Sequence, residues 1–394
     1  MHDLPQGFDL AAAQAGFRYR DRPDLALVFS RVPARAAGVF TTNTFQAAPV
    51  QVARANLEGS DLIQALLVNA GQANACTGVD GLADCRKSIE MLAGLLDISA
   101  GSILPASTGV IGVRMPMSCW EISLPGLVEN LGKCTGEQAA TAIMTTDTFP
   151  KTASREIELE GGRVRFWGMT KGAGMICPDM ATMLAFVLTD TEINGPEWQA
   201  MLRQAAEQSF NAITVDGDTS TNDCVLALAN GASAVGCRTR DDWNMAGKAL
   251  YEVCRELAYQ IVKDAEGGTK VMHIRVTGAA NSLDARKAAR AVGNSSLVKT
   301  AMFGTDPNWG RIVAALGRSG AGFDPANVRL SLAGREIFCN GGPVDMDVDE
   351  VFAPLLKSRD IRVDIDLGSG DGEYFLMASD LTPEYIRINS DYRS

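Results

Sequence analysis

The sequence predicts a mixed α/β protein of 394 residues that folds as two lobes. Short apolar runs rich in β-branched residues alternate along the chain with segments whose apolar residues recur at helical spacing. The run 182–189 is typical of a buried strand, and 84–96 is typical of an amphipathic helix. Two lobes are expected because a chain of this length exceeds the size at which one hydrophobic core usually stops growing.

The first half of the chain alternates between the two kinds of element. Strands are predicted at 25–30 and at 66–71, and a helix at 84–96 carries Ile89 and Leu92 on its apolar face. A second helix is predicted at 136–144. Residues 157–167 alternate around Glu160-Gly161-Gly162, which predicts a β-hairpin.

The second half follows the same pattern. Pro196 suits the first turn of a helix that covers 194–210. The remaining predicted elements are strand 224–229, helices 241–262, 285–291 and 296–303, and strands 328–332, 361–367 and 374–378. The last two strands are joined by residues 368–372, Gly-Ser-Gly-Asp-Gly, which predict a hairpin turn.

Composition narrows the possible partners and compartment. The net charge of −11 argues against nucleic acid or an anionic membrane as a partner. There is no run of about 18 apolar residues, so no membrane span is expected. The N-terminus lacks a basic start followed by an apolar segment, so no signal peptide is visible. We therefore expect a cytoplasmic protein.

The cysteines and histidines limit the chemistry. The nine cysteines are scattered and form no Cys-x-x-Cys pair, as expected for reduced thiols rather than a disulfide framework or a zinc site. Residues 215–223 are rich in carboxylates but lack the spacing of a calcium loop, so we interpret them as a structural turn. Because the histidines are His2 and His273 alone, a Ser-His-Asp or Cys-His site is nearly excluded.

Residues 171–184 join a loop to a predicted buried strand, and the functional interpretation depends on this junction. Gly172, Gly174 and Pro178 indicate a loop, which meets the apolar run at Thr182. A threonine hydroxyl needs a base, and an N-terminal threonine can use its own α-amino group. That chemistry requires a cut between Ala181 and Thr182. The residue pattern alone favours the simpler interpretation, in which Thr182 only starts a strand.

The other candidate residues also have ordinary interpretations when each is considered alone. Thr108-Gly109 is typical of an ordinary turn, and Thr145 belongs to a hydroxyl-rich helix end. Lys171 does not complete a phosphate-binding loop and suits a substrate carboxylate better. Glu266 is typical of a solvated loop.

In combination these motifs resemble one family, the bifunctional glutamate N-acetyltransferases, which are the ornithine acetyltransferases of arginine biosynthesis. The resemblance runs from about residue 8 to 394. It is carried by Thr108-Gly109, Lys171-Gly172-Ala173-Gly174-Met175, Met180-Ala181-Thr182-Met183-Leu184, Glu266-Gly267, residues 306–311 and residues 389–394.

The resemblance implies an α/β fold of layered αββα architecture with two lobes. It also implies self-cleavage into fragments 1–181 and 182–394, which assemble as a heterotetramer of two α and two β fragments. The implied activity moves the acetyl group of N2-acetyl-L-ornithine to L-glutamate, with no cofactor or metal and with acetyl-CoA as a possible second donor. The implied catalytic residues are Thr182, Thr108 and Gly109, and the implied substrate-binding residues are Thr145, Lys171, Thr182, Glu266, Asn389 and Ser394.

Two other functions stay open at this point. The same self-generated threonine nucleophile could serve a hydrolase or aminopeptidase that uses water as the acceptor. A non-enzymatic small-molecule binding protein would instead remain uncleaved.

Overall fold

The computed structural model describes residues 4–60, 62–177 and 183–391. The strands are β1 (Phe8–Ala13), β2 (Leu25–Phe40), β3 (Leu62–Gln72), β4 (Ile103–Val110), β5 (Lys151–Leu159), β6 (Gly162–Lys171), β7 (Leu184–Thr189), β8 (Ile213–Thr214), β9 (Cys224–Ala229), β10 (Val271–Ala279), β11 (Arg329–Leu332), β12 (Arg335–Cys339), β13 (Gly342–Pro343), β14 (Asp360–Asp366) and β15 (Gly372–Ser379). The helices are α1 (Ala48–Gly59), α2 (Gly78–Leu96), α3 (Met117–Glu129), α4 (Gly136–Ala142), α5 (Gly195–Glu207), α6 (Arg240–Lys263), α7 (Ser282–Gly293), α8 (Ser296–Phe303), α9 (Trp309–Gly317), α10 (Val348–Phe352) and α11 (Pro383–Asp391).

The described residues form two compact units, each built on its own sheet. The first unit takes its residues from 4–211 and 218–261, and the second from 212–217 and 262–391. The predicted α/β class and the division into two lobes are therefore confirmed. The predicted cleavage junction after residue 181 falls inside the sequence range of the first unit, so the two units are not the two predicted fragments.

The sheet of the first unit has the strand order β4-β3-β2-β9-β7-β6-β5, and β1 pairs with β2. Successive residues of a strand point to opposite faces, and both faces of this sheet are apolar. On β3, Leu66 and Val68 pack with α4, whereas Ala65 and Leu67 pack with α2 and α3. Helices therefore cover both faces, and the strand ends are left to carry polar groups.

Helix α5 is fixed to this sheet by one large side chain. Its first turn has Pro196, and the Asn194 side chain accepts a hydrogen bond from the Glu197 N–H, which caps the helix. Trp198 is fully buried, and its indole Nε1 donates to the Ala227 carbonyl of β9 at 3.1 Å. The helix is thereby held against the strand that lies next to β7.

The sheet of the second unit has the strand order β13-β12-β11-β14-β10-β15-β8. Its core combines alternate residues of β10 and β14 with the apolar faces of α7, α8 and α9. Helix α7, for example, contributes Ala285, Ala288 and Val292, which are fully buried. The small alanines bring this helix close to the sheet.

The hairpin predicted between the last two strands is wrong. Strand β10 lies between them, parallel to β14 and antiparallel to β15. The connecting segment crosses the end of β10, where the Leu367 N–H donates to Thr277 and the Ser369 N–H donates to Gly278. The glycine-rich turn is present, but its backbone donors bind a third strand instead of closing a two-strand ladder. The hairpin predicted at 157–167 is present as β5 and β6, which pair through Leu159 and Gly162.

Candidate active site

The first group of candidate residues lies at the end of β4. Thr108 is buried and Gly109 is half-buried, and they pair with Ala70 and Gly71 of the parallel strand β3. Gly109 has a φ of +131°, and a Cβ at this position would lie 2.3 Å from the carbonyl carbon of Gly71. Only glycine allows this close approach of the two strands. Gly109 is therefore required by the conformation of this strand end and does not belong to an ordinary turn.

Lys171, the last residue of β6, meets this strand end. Its side chain is buried at 4% exposure, and its Nζ donates to Thr108 Oγ1 at 3.3 Å. An ammonium group can only donate, so the threonine oxygen accepts, and its own hydroxyl hydrogen points elsewhere. Two of the predicted site residues, 63 positions apart in sequence, are thus in direct contact.

A buried carboxylate, Asp147, compensates the positive charge of this region. It forms a fully buried ion pair with Lys151 at 2.7 Å and accepts hydrogen bonds from the Thr145 N–H at 2.9 Å and the Gly172 N–H at 2.7 Å. Burial by itself would raise the pKa of Asp147, but the Lys151 and Lys171 ammonium groups and the hydrogen bonds lower it well below its usual range. Asp147 therefore stays ionised and ties the backbone of Thr145 to that of Gly172.

The segment that precedes β9 borders the same strand ends. Asn222 is buried, and its amide donates to the carbonyls of Ala73 at 2.6 Å and Ser107 at 2.8 Å. Asp223, also buried, accepts from the Met183 N–H at 2.9 Å. The carboxylate-rich stretch that the sequence predicts to be a structural turn thus supports the backbone on both sides of the candidate site.

Several predicted site residues lie outside the described part of the chain. Ala181 and Thr182 belong to the segment 178–182, and Ser394 belongs to 392–394. The proposed cleavage junction, the nucleophile and the last substrate-binding residue therefore stay predictions. Met183, the residue after the predicted nucleophile, is described.

The second group of candidate residues belongs to the second unit. Glu266 is buried at 9% exposure, and its Oε2 accepts from the Asn389 amide of α11 at 2.7 Å. Gly267 has a φ of +65°, and a Cβ there would lie 2.7 Å from the Cβ of Glu384, so glycine lets the loop approach the helix. Thr382 donates to the Gly267 carbonyl at 2.9 Å and closes the contact. The structure brings Glu266 and Asn389 together, although 123 positions separate them.

Sequence reasoning does not select Asp147, Asn222 or Asp223 as functional residues. In the sequence Asp147 is only a carboxylate beside hydroxyl groups, and its spacing of four from Lys151 is found on many exposed surfaces. Asp223 stands directly before the fully buried strand β9, and that position is the one available signal. Within the described ranges, no group of three or more His, Cys, Asp or Glu residues could hold a metal ion. None of the described helices is both long and apolar enough to cross a membrane.

Comparison with known proteins identifies the family. A sequence model of the ArgJ family matches residues 9–394. The arginine biosynthesis bifunctional protein ArgJ of Nitratidesulfovibrio vulgaris is 53% identical over 394 residues, with both chains covered completely. That of Synechocystis is 44% identical and covers 98% of this chain and 96% of its own. The crystal structure of the Bacillus halodurans ArgJ protein superposes with a TM-score of 0.51 at 38% identity, covering 52% of this chain and 98% of its own.

The family model and the two relatives match nearly the whole chain and not a single motif. The chain belongs to the ArgJ family. The family resemblance inferred from the sequence motifs is therefore confirmed.

The close approach of β3 and β4 makes a prediction about Gly109. Gly109→Ala should lower the free energy of unfolding by more than the roughly 1–2 kcal/mol that a positive φ costs an ordinary residue, because the new methyl group also overlaps the β3 backbone. Urea unfolding measures this. Gly112→Ala is the matched control, since Gly112 also has a positive φ but nothing lies within 4 Å of the position that a Cβ would take there. An equal decrease in the free energy of unfolding in the two variants would show that the overlap with β3 has no energetic cost.

Proposed function

We propose that this protein transfers the acetyl group of N2-acetyl-L-ornithine to L-glutamate through an acetylated Thr182. The observation that carries the proposal is the contact between Lys171 and Thr108 in a chain of the ArgJ family. The two residues come from motifs that are far apart in sequence. Lys171 pairs with Leu184, the first residue of β7, so the contact lies at the strand ends where the strand that follows Thr182 begins. The names of the relatives assign those proteins to arginine biosynthesis with two activities.

The first step is self-cleavage between Ala181 and Thr182. The Thr182 hydroxyl attacks the Ala181 carbonyl, and water opens the resulting ester, which leaves a free α-amino group on Thr182.

The two fragments stay together after the cut. Strand β6 precedes the junction and pairs with β7, which follows it, from Phe166↔Thr189 to Lys171↔Leu184. Strand β2 also precedes the junction and pairs with β9, which follows it. Each of these ladders joins a strand of 1–181 to a strand of 182–394. The proposed α and β fragments therefore share one sheet and one core, and two such pairs would make the heterotetramer.

Acetyl transfer then uses the α-amino group as the base. Free α-amino groups titrate near pKa ~7.7–8.0, which suits a general base at neutral pH. The amine takes the proton as the Thr182 oxygen attacks the acetyl carbonyl, and ornithine leaves. Glutamate enters and accepts the acetyl group from Thr182. This is a ping-pong cycle with no cofactor, and acetyl-CoA could acetylate Thr182 in place of acetylornithine.

Thr108 and Gly109 stabilise the oxyanion in both half-reactions. Lys171 donates to Thr108 Oγ1, so the Thr108 hydroxyl hydrogen is directed away from the lysine and can be donated to the developing negative charge. The nearby ammonium also favours negative charge in this buried region. The sequence-based role of Lys171, the binding of a substrate carboxylate, remains part of the proposal.

The remaining predicted site residues bind the polar groups of the amino-acid substrates. Glu266 is a buried carboxylate whose partner is the neutral Asn389 amide, and a carboxylate in that setting suits a substrate ammonium group. Thr145 and Ser394 would contribute hydroxyl groups. All substrates are small molecules, and we place the enzyme in the cytoplasm.

Self-processing is the first test of this function. The wild-type chain of 41.9 kDa should yield two bands in the length ratio 181 to 213, about 19 and about 23 kDa, and Thr182→Ala should remain a single inactive band. A denaturing gel with N-terminal sequencing of the larger fragment measures this. Thr189→Ala, at the far end of β7, is the control and should be processed. Efficient cleavage of the Thr182→Ala chain would rule out the mechanism.

The oxyanion role of Thr108 is tested by steady-state kinetics. Thr108→Ala should lower kcat by roughly 10²–10³-fold, the usual cost of one lost oxyanion donor. KM should change little, because the donor acts mainly in the transition state. Thr108→Ser keeps the hydroxyl group and is expected to retain most of the activity. A raised KM with unchanged kcat would assign Thr108 to substrate binding instead.

The role of the last helix is tested at Asn389. Asn389→Ala removes the partner of Glu266, and the loss of a contact used equally in ground and transition states should raise KM for glutamate more than it lowers kcat. Ser390→Ala, one residue further along the same exposed helix, is the matched control, since its hydroxyl binds only the Arg387 carbonyl among the described contacts. Unchanged kinetics in Asn389→Ala would show that α11 takes no part in substrate binding.

A further inference from the structure

Self-cleavage has a chemical requirement that Thr182, Thr108 and Gly109 do not meet. Before the cut, the Thr182 nitrogen is an amide and cannot act as a base, so another group must take the hydroxyl proton. The departing nitrogen must also receive a proton as its bond to Ala181 breaks. A group that accepts the first proton and returns it to the nitrogen would satisfy both needs.

The side chain of Asp223 binds the backbone of Met183, the residue that follows the predicted nucleophile in sequence. Its Oδ1 accepts from the Met183 N–H at 2.9 Å. The Met183 nitrogen is joined to the Thr182 nitrogen through three covalent bonds, whose lengths total about 4.3 Å. The Asp223 carboxyl therefore lies within about 7 Å of the nitrogen that must be released, whatever conformation Thr182 adopts.

The second oxygen of the same carboxyl is buried without a partner. Asp223 is 1% exposed, and within residues 4–60, 62–177 and 183–391 its Oδ2 makes no hydrogen bond. A buried polar atom without a partner is costly, and a catalytic role is one of the explanations for such an atom in a native protein. One oxygen thus anchors the backbone after Thr182, and the other is available for a proton.

Asp147, Lys171 and Cys224, which lie in the same region, are less suitable. Asp147 is held ionised by Lys151 and by two backbone N–H groups, and its lowered pKa makes it a poor base. Lys171 donates to Thr108. Burial raises the pKa of the Cys224 thiol far out of the useful range.

The protonation of Asp223 itself suits proton transfer. Burial raises the pKa of Asp223 well above its usual value and outweighs the hydrogen bond from the Met183 N–H, the charge of Lys171 and the hydrogen bonds from Ser220, all of which lower it. A raised carboxyl pKa brings the group closer to the range in which a base works efficiently near neutral pH.

We propose that Asp223 carries the proton during self-cleavage. Its carboxylate takes the proton from the Thr182 hydroxyl as the oxygen bonds to the Ala181 carbonyl carbon. The resulting carboxylic acid returns that proton to the Thr182 nitrogen as the carbon–nitrogen bond breaks. The product is an ester between Ala181 and the Thr182 side chain, and water then hydrolyses it to the Ala181 carboxylate and the free hydroxyl. This inference rests on the proposed function, which requires the same cut.

The test is the rate of cleavage of the full chain, made by cell-free synthesis and followed on a denaturing gel. Asp223→Asn keeps an acceptor for the Met183 N–H but cannot carry a proton, so cleavage should slow by roughly 10²–10⁴-fold. Asp223→Glu keeps a carboxyl group and should cleave faster than Asp223→Asn. Asp190→Asn is the matched control, because Asp190 is also buried and lies at the other end of β7, where it accepts from the Gln6 and Arg165 N–H groups.

The pH profile separates proton transfer from a structural effect. The carboxyl must be ionised to accept a proton, so the wild-type rate should rise with pH through the raised pKa of Asp223 and then level off. Asp223→Asn should lose this rise, whereas Asp190→Asn should keep it. Cleavage of Asp223→Asn at the wild-type rate, or a wild-type rate that is independent of pH, overturns the proposal. The second result decides the matter even if Asp223→Asn fails to fold.

These outcomes are distinguishable from a failure of the proposed function. If the wild-type chain never cleaves, or if Thr182→Ala cleaves, the nucleophile itself is wrong. If the wild-type chain cleaves at Thr182 and Asp223→Asn does so equally fast, only the role of Asp223 is wrong.

Discussion

The candidate site of the first unit depends on the compensation of one buried charge, the ammonium group of Lys171. A lysine at 4% exposure would be strongly destabilising without compensation, because a charge removed from water must be paired or hydrogen-bonded. Thr108 accepts its hydrogen bond directly, and Asp147 supplies nearby negative charge. The geometry of the Thr108 hydroxyl follows from this, since an oxygen that accepts from a lysine must direct its own hydrogen elsewhere.

Two buried aspartates near this lysine differ in their surroundings and consequently in their protonation. Asp147 has a cation at 2.7 Å and two backbone donors, which outweigh burial and lower its pKa. Asp223 accepts from the Met183 N–H at its Oδ1, but burial dominates there, so its pKa is raised. Pairs of titratable groups whose environments push their pKa values apart often divide structural and acid–base roles in enzymes. Here Asp147 holds the loop, and Asp223 faces the backbone beside the proposed nucleophile.

Local patterns predict much of the fold, and the failures have physical causes. The hairpin at β5 and β6 is predictable because its strands alternate on both sides of a glycine turn. The hairpin at β14 and β15 does not form because β10, which comes almost a hundred residues earlier, inserts between them. Helix α3 escapes prediction because Pro125 lies inside it, and a proline normally ends a helix. Helix α11 escapes prediction because it lies at the chain end and buries no residue fully, so it lacks a strong apolar stripe.

The sequence by itself determined the family and the α/β class, because both depend on residue types in local order. For the same reason it determined the motifs that contain the candidate residues Thr108, Gly109, Lys171, Glu266 and Asn389. Tertiary structure alone decided which of them meet: Lys171 with Thr108, and Glu266 with Asn389. It also decided that Asp147 and Asp223 carry opposite pKa shifts, since such shifts arise from burial and from partners distant in sequence. Sequence shows which groups a chain possesses, whereas the dielectric and the neighbours of each group exist only once the strands have paired.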